Sequence, residues 1–217
     1  MIHNFLFDFD GTVVNSVPGI MTTLEKTREA MAVDYDLDYA KSLIGTPLVS
    51  MGVELCGEKR AAEFVDTYRS EYFKWGADKI LFFDGMEALL QKLNEMGLHC
   101  AVVTSKRRDS LDCNLDFLHG HQYFDVLVSK ESTDFFKPHP APAEYALTAL
   151  NAEPKDAVMI GDTHYDLECG RGAGTKTIGV TWGVEPKEAI LQAAPDYIAE
   201  TPEELLKICL ALAKGDA

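Results

Sequence analysis

Residues 7–12 read Phe-Asp-Phe-Asp-Gly-Thr, directly after an apolar run. Asp8 and Asp10 therefore stand two apart where a strand should give way to a glycine turn. A strand sends residues i and i+2 to the same face, so both carboxylates can converge on one spot. Two like charges held together repel unless one is protonated or a cation sits between them. The stretch implies a metal, proton chemistry, or both.

Three other segments supply what such a pair needs. The apolar run at 99–103 is followed by Thr104 and Ser105, a loop carries Lys137 before Pro138, and Gly161-Asp162 precedes Asp166 by four residues. The segments 2–8, 99–104, 125–129, 157–162, 177–181 and 196–199 are short and β-branched-rich, which predicts strands. Helical patterns lie at 86–96, 107–118, 141–150 and 202–214. This alternation predicts an α/β fold with a doubly wound parallel sheet. Ligands of such sheets bind beyond the carboxyl ends of the strands. With a helix after residue 162, Asp162 would cap it and Asp166 would lie in its first turn. One rim then collects four carboxylates, a lysine and a hydroxyl. A phosphoryl group with a hard dication needs that assembly.

The alternation breaks between residues 16 and 80. The stretches 17–32, 39–43, 49–56 and 58–75 carry apolar residues at three- and four-residue spacing, with no convincing strand among them. We expect an all-helical insert there, leaving a core made of 1–15 and 81–217. Inserts at such loops commonly act as lids.

Composition narrows the partners. Thirty-five acidic residues against 20 Lys and Arg give a net charge of −15, which opposes non-specific nucleic-acid or anionic-membrane binding. The five cysteines have no metal-ligand spacing and read as reduced thiols. No apolar run is long enough for a membrane span, so the expected location is the cytoplasm.

Asp8-Phe-Asp-Gly-Thr, Thr104 after an apolar strand, Lys137-Pro and Gly161-Asp162-x-x-x-Asp166 resemble, in order, the four motifs of the haloacid-dehalogenase-like phosphohydrolases. The insert resembles the helical cap of the subgroup containing phosphoglycolate phosphatases. The resemblance covers nearly the whole chain and implies a Rossmann-like core. It also implies roles. Asp8 would be the nucleophile that forms an aspartyl-phosphate. Asp10 would protonate the leaving oxygen and then activate water. Thr104 and the Ser105 amide would hold phosphate oxygens, and Lys137 would offset charge. Mg2+ would be held by Asp8, the Asp10 carbonyl, Asp162 and, through water, Asp166. The implied substrate is a small phosphorylated metabolite, with phosphoglycolate first.

Asp10 discriminates within that family, because the dehalogenating and phosphonate-cleaving branches lack an acid here. A phosphosugar mutase usually presents a basic residue on a cap loop, and residues 44–48 (Ile-Gly-Thr-Pro-Leu) have none. Pyrophosphatase activity is also compatible with the motifs, and so is a catalytically silent binding or regulatory role on the same fold. Residues 45–48 are expected to help choose the substrate. The remaining features read as structural. Gly170, Gly172 and Gly174 should end a helix, and His119 and His121 should lie on a turn surface. Lys106, Arg107 and Arg108 should form a solvated helix start. Tyr72, Phe73 and Trp75 should belong to the core of the insert.

Overall fold

The computed structural model describes residues 1–44 and 46–215. It divides into two compact units, one formed by Met1–Asn15 with Phe82–Ala217 and the other by Ser16–Leu81. Gly45 of the 45–48 segment lies outside the described residues.

In the first unit the chain runs through β1 (Asn4–Phe7) and the short β2 (Val14–Asn15). The second unit contains α1 (Val17–Met31), α2 (Leu37–Ser42), α3 (Leu48–Cys56) and α4 (Ala61–Glu71), with a wide helical turn at Tyr72–Gly76. Its apolar stripes meet in a core of Leu24, Met31, Tyr35, Ala40, Met51, Phe64 and Val65. The Tyr35 hydroxyl donates to the Leu24 carbonyl at 2.6 Å, which satisfies the one polar atom of that buried ring. Tyr72 is buried, as expected. Phe73 and Trp75 are not core residues: both are about half exposed, and Lys26 lies over the Trp75 ring. The three- and four-residue spacing places an aromatic on a helix face but does not say whether a neighbour covers it.

The first unit resumes at Phe82, the last residue of β3 (Leu81–Phe82), and continues through α5 (Met86–Glu95), β4 (His99–Val103), α6 (Arg108–Phe117), β5 (Val126–Val128) and α7 (Ala141–Leu150). It ends with β6 (Ala157–Gly161), α8 (His164–Gly172), β7 (Lys176–Val180), α9 (Lys187–Gln192), β8 (Tyr197–Ala199) and α10 (Pro202–Lys214). Six of these strands form one sheet in the order β5-β4-β1-β6-β7-β8, and every pairing is parallel. On one face Leu6, Ala101, Val103, Ala157 and Met159 pack against Ala143, Ala146 and Leu147 of α7 and Cys169 of α8. On the other face α5 packs on β4, and α10 on α5 and β8. Burial on both faces explains why these strands read as continuous apolar runs. The fold is thus the Rossmann-like α/β arrangement expected from the alternation.

The strand order decides where a ligand can go. After β1 the chain builds outward through β4 and β5, then returns past β1 to build β6, β7 and β8 on the other side. The direction of winding reverses at β1, and the crevice beyond the carboxyl ends of β4, β1 and β6 lies at that reversal. The register is in step there: Phe7 pairs with Val102 on one side and Ile160 on the other. Asp8, Val103 and Gly161 are the next residues along.

Candidate active site

The first element of the site is the turn after β1. The Asp8 amide donates to the Ile160 carbonyl at 2.9 Å, so Asp8 is still tied to the sheet. The chain then folds back on itself. Val13 and Val14 both donate to the Phe9 carbonyl, and Gly11 donates to Val14 at 2.9 Å. Gly11 has φ +90, a conformation that side-chain-bearing residues rarely adopt. A methyl group there would also overlap the Asp162 carboxylate.

Lys137 joins the pieces. Its ammonium donates to Asp8 Oδ1 at 2.6 Å, to Asp166 Oδ1 at 2.5 Å and to the Val103 carbonyl at 3.0 Å. The lysine side chain is 6% exposed and that of Asp166 is 1% exposed, so water contributes little to their solvation. Burial opposes the lysine's charge, but Asp166 and Asp8 together hold its pKa above the ordinary value, and it stays protonated.

Asp162 and Asp166 follow β6, but the cap expectation needs correction. Thr163, not Asp162, is the N-cap of α8. The Thr163 amide donates to Asp166 Oδ2 at 3.0 Å, its hydroxyl donates to the same oxygen at 2.6 Å, and its side chain accepts from the Asp166 amide. Asp162 is thereby left for other work. Its Oδ1 accepts from the Thr12 hydroxyl at 2.9 Å and its Oδ2 from the Val184 amide at 2.7 Å. Capping depends on a backbone angle at one residue, and a spacing argument leaves that shift of one position open.

Asp8, Asp162 and Asp166 place carboxylate oxygens within 4.8 Å of one another, all buried. Burial drives the Asp8 carboxyl well above its usual range; Lys137 pulls it back, and Asp166 and Asp162 add to the rise. Burial and then the Asp166 charge push Asp162 up to about 7, against the Val184 and Thr12 hydrogen bonds. Three buried carboxylates facing one lysine leave an excess of negative charge. Hard oxygen donors with that excess fit a small divalent cation.

Asp10 stands apart through its side chain. Both of its carboxylate oxygens accept from Lys106 Nζ, at 3.0 and 3.1 Å. This overturns the expectation of a solvated helix start at 106–108. Arg107 and Arg108 are exposed and pair with Asp109 and Asp112, but the Lys106 side chain is only 12% exposed. Thr104 is buried at the end of β4, where its hydroxyl accepts from the Lys106 amide at 3.2 Å, and Ser105 is exposed in the turn that follows. Of the remaining glycines and histidines, Gly170 lies inside α8, which ends at Gly172, and His121 lies at the surface beside Asp116.

Sequence reasoning misses Lys106, Thr12 and the loop 182–184. Trp182 Nε1 donates to the Thr12 carbonyl at 3.1 Å, and Gly183 presses on Asp162 so closely that a methyl group would overlap the side chain from Cβ to carboxylate. The position of Thr12, two residues after Asp10, is a signal that could have found it, but nothing local marks residues 182–184. Gly183→Ala should lower the melting temperature of the metal-free protein by several degrees. Overpacking typically costs about 1–3 kcal/mol, and each kcal/mol is worth about 2–4 °C at this chain length. An unchanged melting curve would show that the loop yields and does not fix Asp162.

Known proteins share this arrangement of chain. Pyrophosphatase PpaX from Anoxybacillus flavithermus is 30% identical over 208 residues, which is 95% of this chain and 96% of that protein. A haloacid dehalogenase-like family hydrolase from Streptococcus pneumoniae superposes with a TM-score of 0.86 at 28% identity, covering 96% of this chain and 98% of its own. A predicted phosphoglycolate phosphatase from Haemophilus somnus gives 0.83 at 22% identity, covering 96% and 98%, and at that identity speaks for the fold alone. The model of the haloacid dehalogenase-like hydrolase family matches residues 5–180, a span that contains Asp8, Lys137, Asp162 and Asp166. The chain belongs to that family.

Proposed function

We propose that this protein is a Mg2+-dependent phosphohydrolase that acts on a small phosphate compound through an aspartyl-phosphate on Asp8. The observation that carries the reading is Lys137 bridging Asp8 and Asp166 beside Asp162 at the reversal of the sheet. Asp8 attacks phosphorus, and the bond to the leaving oxygen breaks. Asp10 gives that oxygen a proton and later takes one from the water that releases phosphate. Lys137 offsets charge on Asp8 and on the group in transfer. Thr104 and the Ser105 amide, at the end of β4, grip the phosphoryl oxygens. Asp8, Asp162, the Asp10 carbonyl and, through water, Asp166 would hold Mg2+, which supplies Lewis-acid stabilisation when bound. The unit Ser16–Leu81 is read as the cap, with its 45–48 segment contributing to substrate choice.

Two substrate classes fit this reading. Phosphoglycolate is the monoester suggested by the resemblance. Pyrophosphate is favoured by the name of the 30% identical relative. The cytoplasmic setting read with either substrate rests on the five cysteines, none of which forms a disulfide.

The test combines turnover with stability. Chelation should abolish hydrolysis of both substrates, and Mg2+ should restore it. Asp162 has a folded pKa of about 7, above its ordinary 3.8, so the folded state binds the proton more tightly. Its contribution to metal-free stability is full below about pH 4 and is lost as pH rises through 7. Divalent metal competes with that proton, so the Mg2+-induced rise in melting temperature should be larger at pH 8 than at pH 5.5. At a hundredfold excess over Kd the gain is about 2.7 kcal/mol. Full turnover after exhaustive chelation, or no Mg2+-induced rise in melting temperature at either pH, would remove the metal from this site.

A further inference from the structure

Two ammonium groups serve three of the four carboxylates, and they divide the work. Lys137 holds Asp8 and Asp166, on the side of attack. Lys106 holds both oxygens of Asp10, the residue that would face the departing group. The backbone fixes the second pairing. Lys106 lies in the turn directly after β4, anchored by its amide on Thr104 Oγ1 and by its carbonyl, which accepts from the Lys130 amide at 2.9 Å. Its ammonium is also 5.9 Å from the centre of the buried Phe9 ring. Arg107 and Arg108, next in sequence, spend their charge on surface acids.

A cation fixed on the departure side changes which substrates suit the site. A neutral alcohol leaving from phosphorus needs only the proton of Asp10 and offers the ammonium little. A leaving fragment that bears its own negative charge shares the ammonium with Asp10, and gains most as that charge grows in the transition state. We infer that Lys106 binds the anionic leaving fragment and selects substrates that have one, phosphoanhydrides of the pyrophosphate type first. This inference rests on the phosphohydrolase reading. For pyrophosphate the balance is simple. An Asp8 oxygen bonds to one phosphorus while the bond from that phosphorus to the bridging oxygen breaks. The bridging oxygen keeps the electron pair, takes the Asp10 proton and leaves as inorganic phosphate beside Lys106, which keeps its own proton. Water then gives a proton to Asp10 and bonds to the phosphorus on Asp8, the bond from that phosphorus to the Asp8 oxygen breaks, and the second phosphate leaves with Asp8 restored.

The experiment compares kcat/KM for pyrophosphate, 2-phosphoglycolate and ethyl phosphate in wild type and in Lys106→Gln, Lys106→Arg and Arg107→Gln, with melting curves for each. Lys106→Gln should lower the preference for pyrophosphate over ethyl phosphate on the order of 100-fold, the scale of a hydrogen bond to a charged group. Lys106→Arg should keep most of the preference, and Arg107→Gln should leave it unchanged. If the preference that falls is that for 2-phosphoglycolate, the charge recognised is a carboxylate and the inference still holds. If ethyl phosphate loses as much as the two anionic substrates, or more, Lys106 only positions Asp10 and the inference fails while the phosphohydrolase stands. Should Lys106→Gln not fold, Lys106→Met carries the same comparison: loss of the preference for the anionic substrates over ethyl phosphate decides for a bound anion, and equal losses on all three substrates decide against. A wild-type protein that turns over none of the three substrates overturns both readings.

Discussion

Asp8→Asn should reduce turnover of every phosphate substrate by about four orders of magnitude or more, the scale seen when a covalent nucleophile is removed. The amide fills the same volume at a position 7% exposed, and its oxygen can still accept from Lys137. The fold should therefore survive. The wild-type carboxyl is held above its usual range by burial, with Asp166 and Asp162 adding to the rise, so replacing it by a neutral group relieves repulsion. The metal-free variant should melt no lower than wild type at pH 8, as calorimetry would show. Retention of a tenth of wild-type turnover, in protein checked by mass for the intact Asn, would exclude the aspartyl-phosphate route.

Lys137→Met should damage both chemistry and stability. The lysine makes three hydrogen bonds from a side chain 6% exposed, two of them to buried carboxylates. Removing one partner of a buried ion pair costs about 3–5 kcal/mol, because the remaining charge stays unpaired. Loss of a donor at the transferring group should lower kcat by at least about 100-fold. The stability deficit has a sign in pH. Lys137 lowers the Asp8 pKa in the wild-type protein, so without it the Asp8 carboxyl rises further above its ordinary value. At acid pH that carboxyl is neutral and needs no counterion. The deficit should therefore be smallest at acid pH and grow as pH rises, as read by denaturant unfolding in EDTA. A deficit that does not change with pH would mean that Lys137 stabilises by packing and not by charge.

These two residues also show how far local reading reaches. Asp8, Lys137, Asp162 and Asp166 are legible in the sequence because each follows, or leads into, a recognisable strand or loop. The structure brings those four together. Asp10 is legible on the same grounds, yet its carboxylate pairs with Lys106, which in sequence is only part of a basic run. The two are 96 positions apart, and no periodicity links them. Thr12 and Asp162 are 150 apart, and the 182–184 loop that closes on both lies beyond β7. The capping error at Asp162 is of another kind. Asp and Thr are both good N-caps, and the turn after β6 takes the second, so that the first faces Thr12 and Val184.

By itself the sequence determined the kind and order of the main strands and helices, though not the short β2, β3 and α9, because apolar runs of strand length and stripes of helical period can be buried in few other ways. It also determined the family, since four short motifs in order need no knowledge of contacts. Only the tertiary structure decided which charges meet. The winding reversal at β1 sets β4 and β6 on either side of Asp8, and from that follow Lys137 on the nucleophile, Lys106 on Asp10, and Gly11 and Gly183 against Asp162. A pairing between distant side chains is fixed by strand register and loop path, and those depend on the whole core packing at once, not on any local stretch of chain.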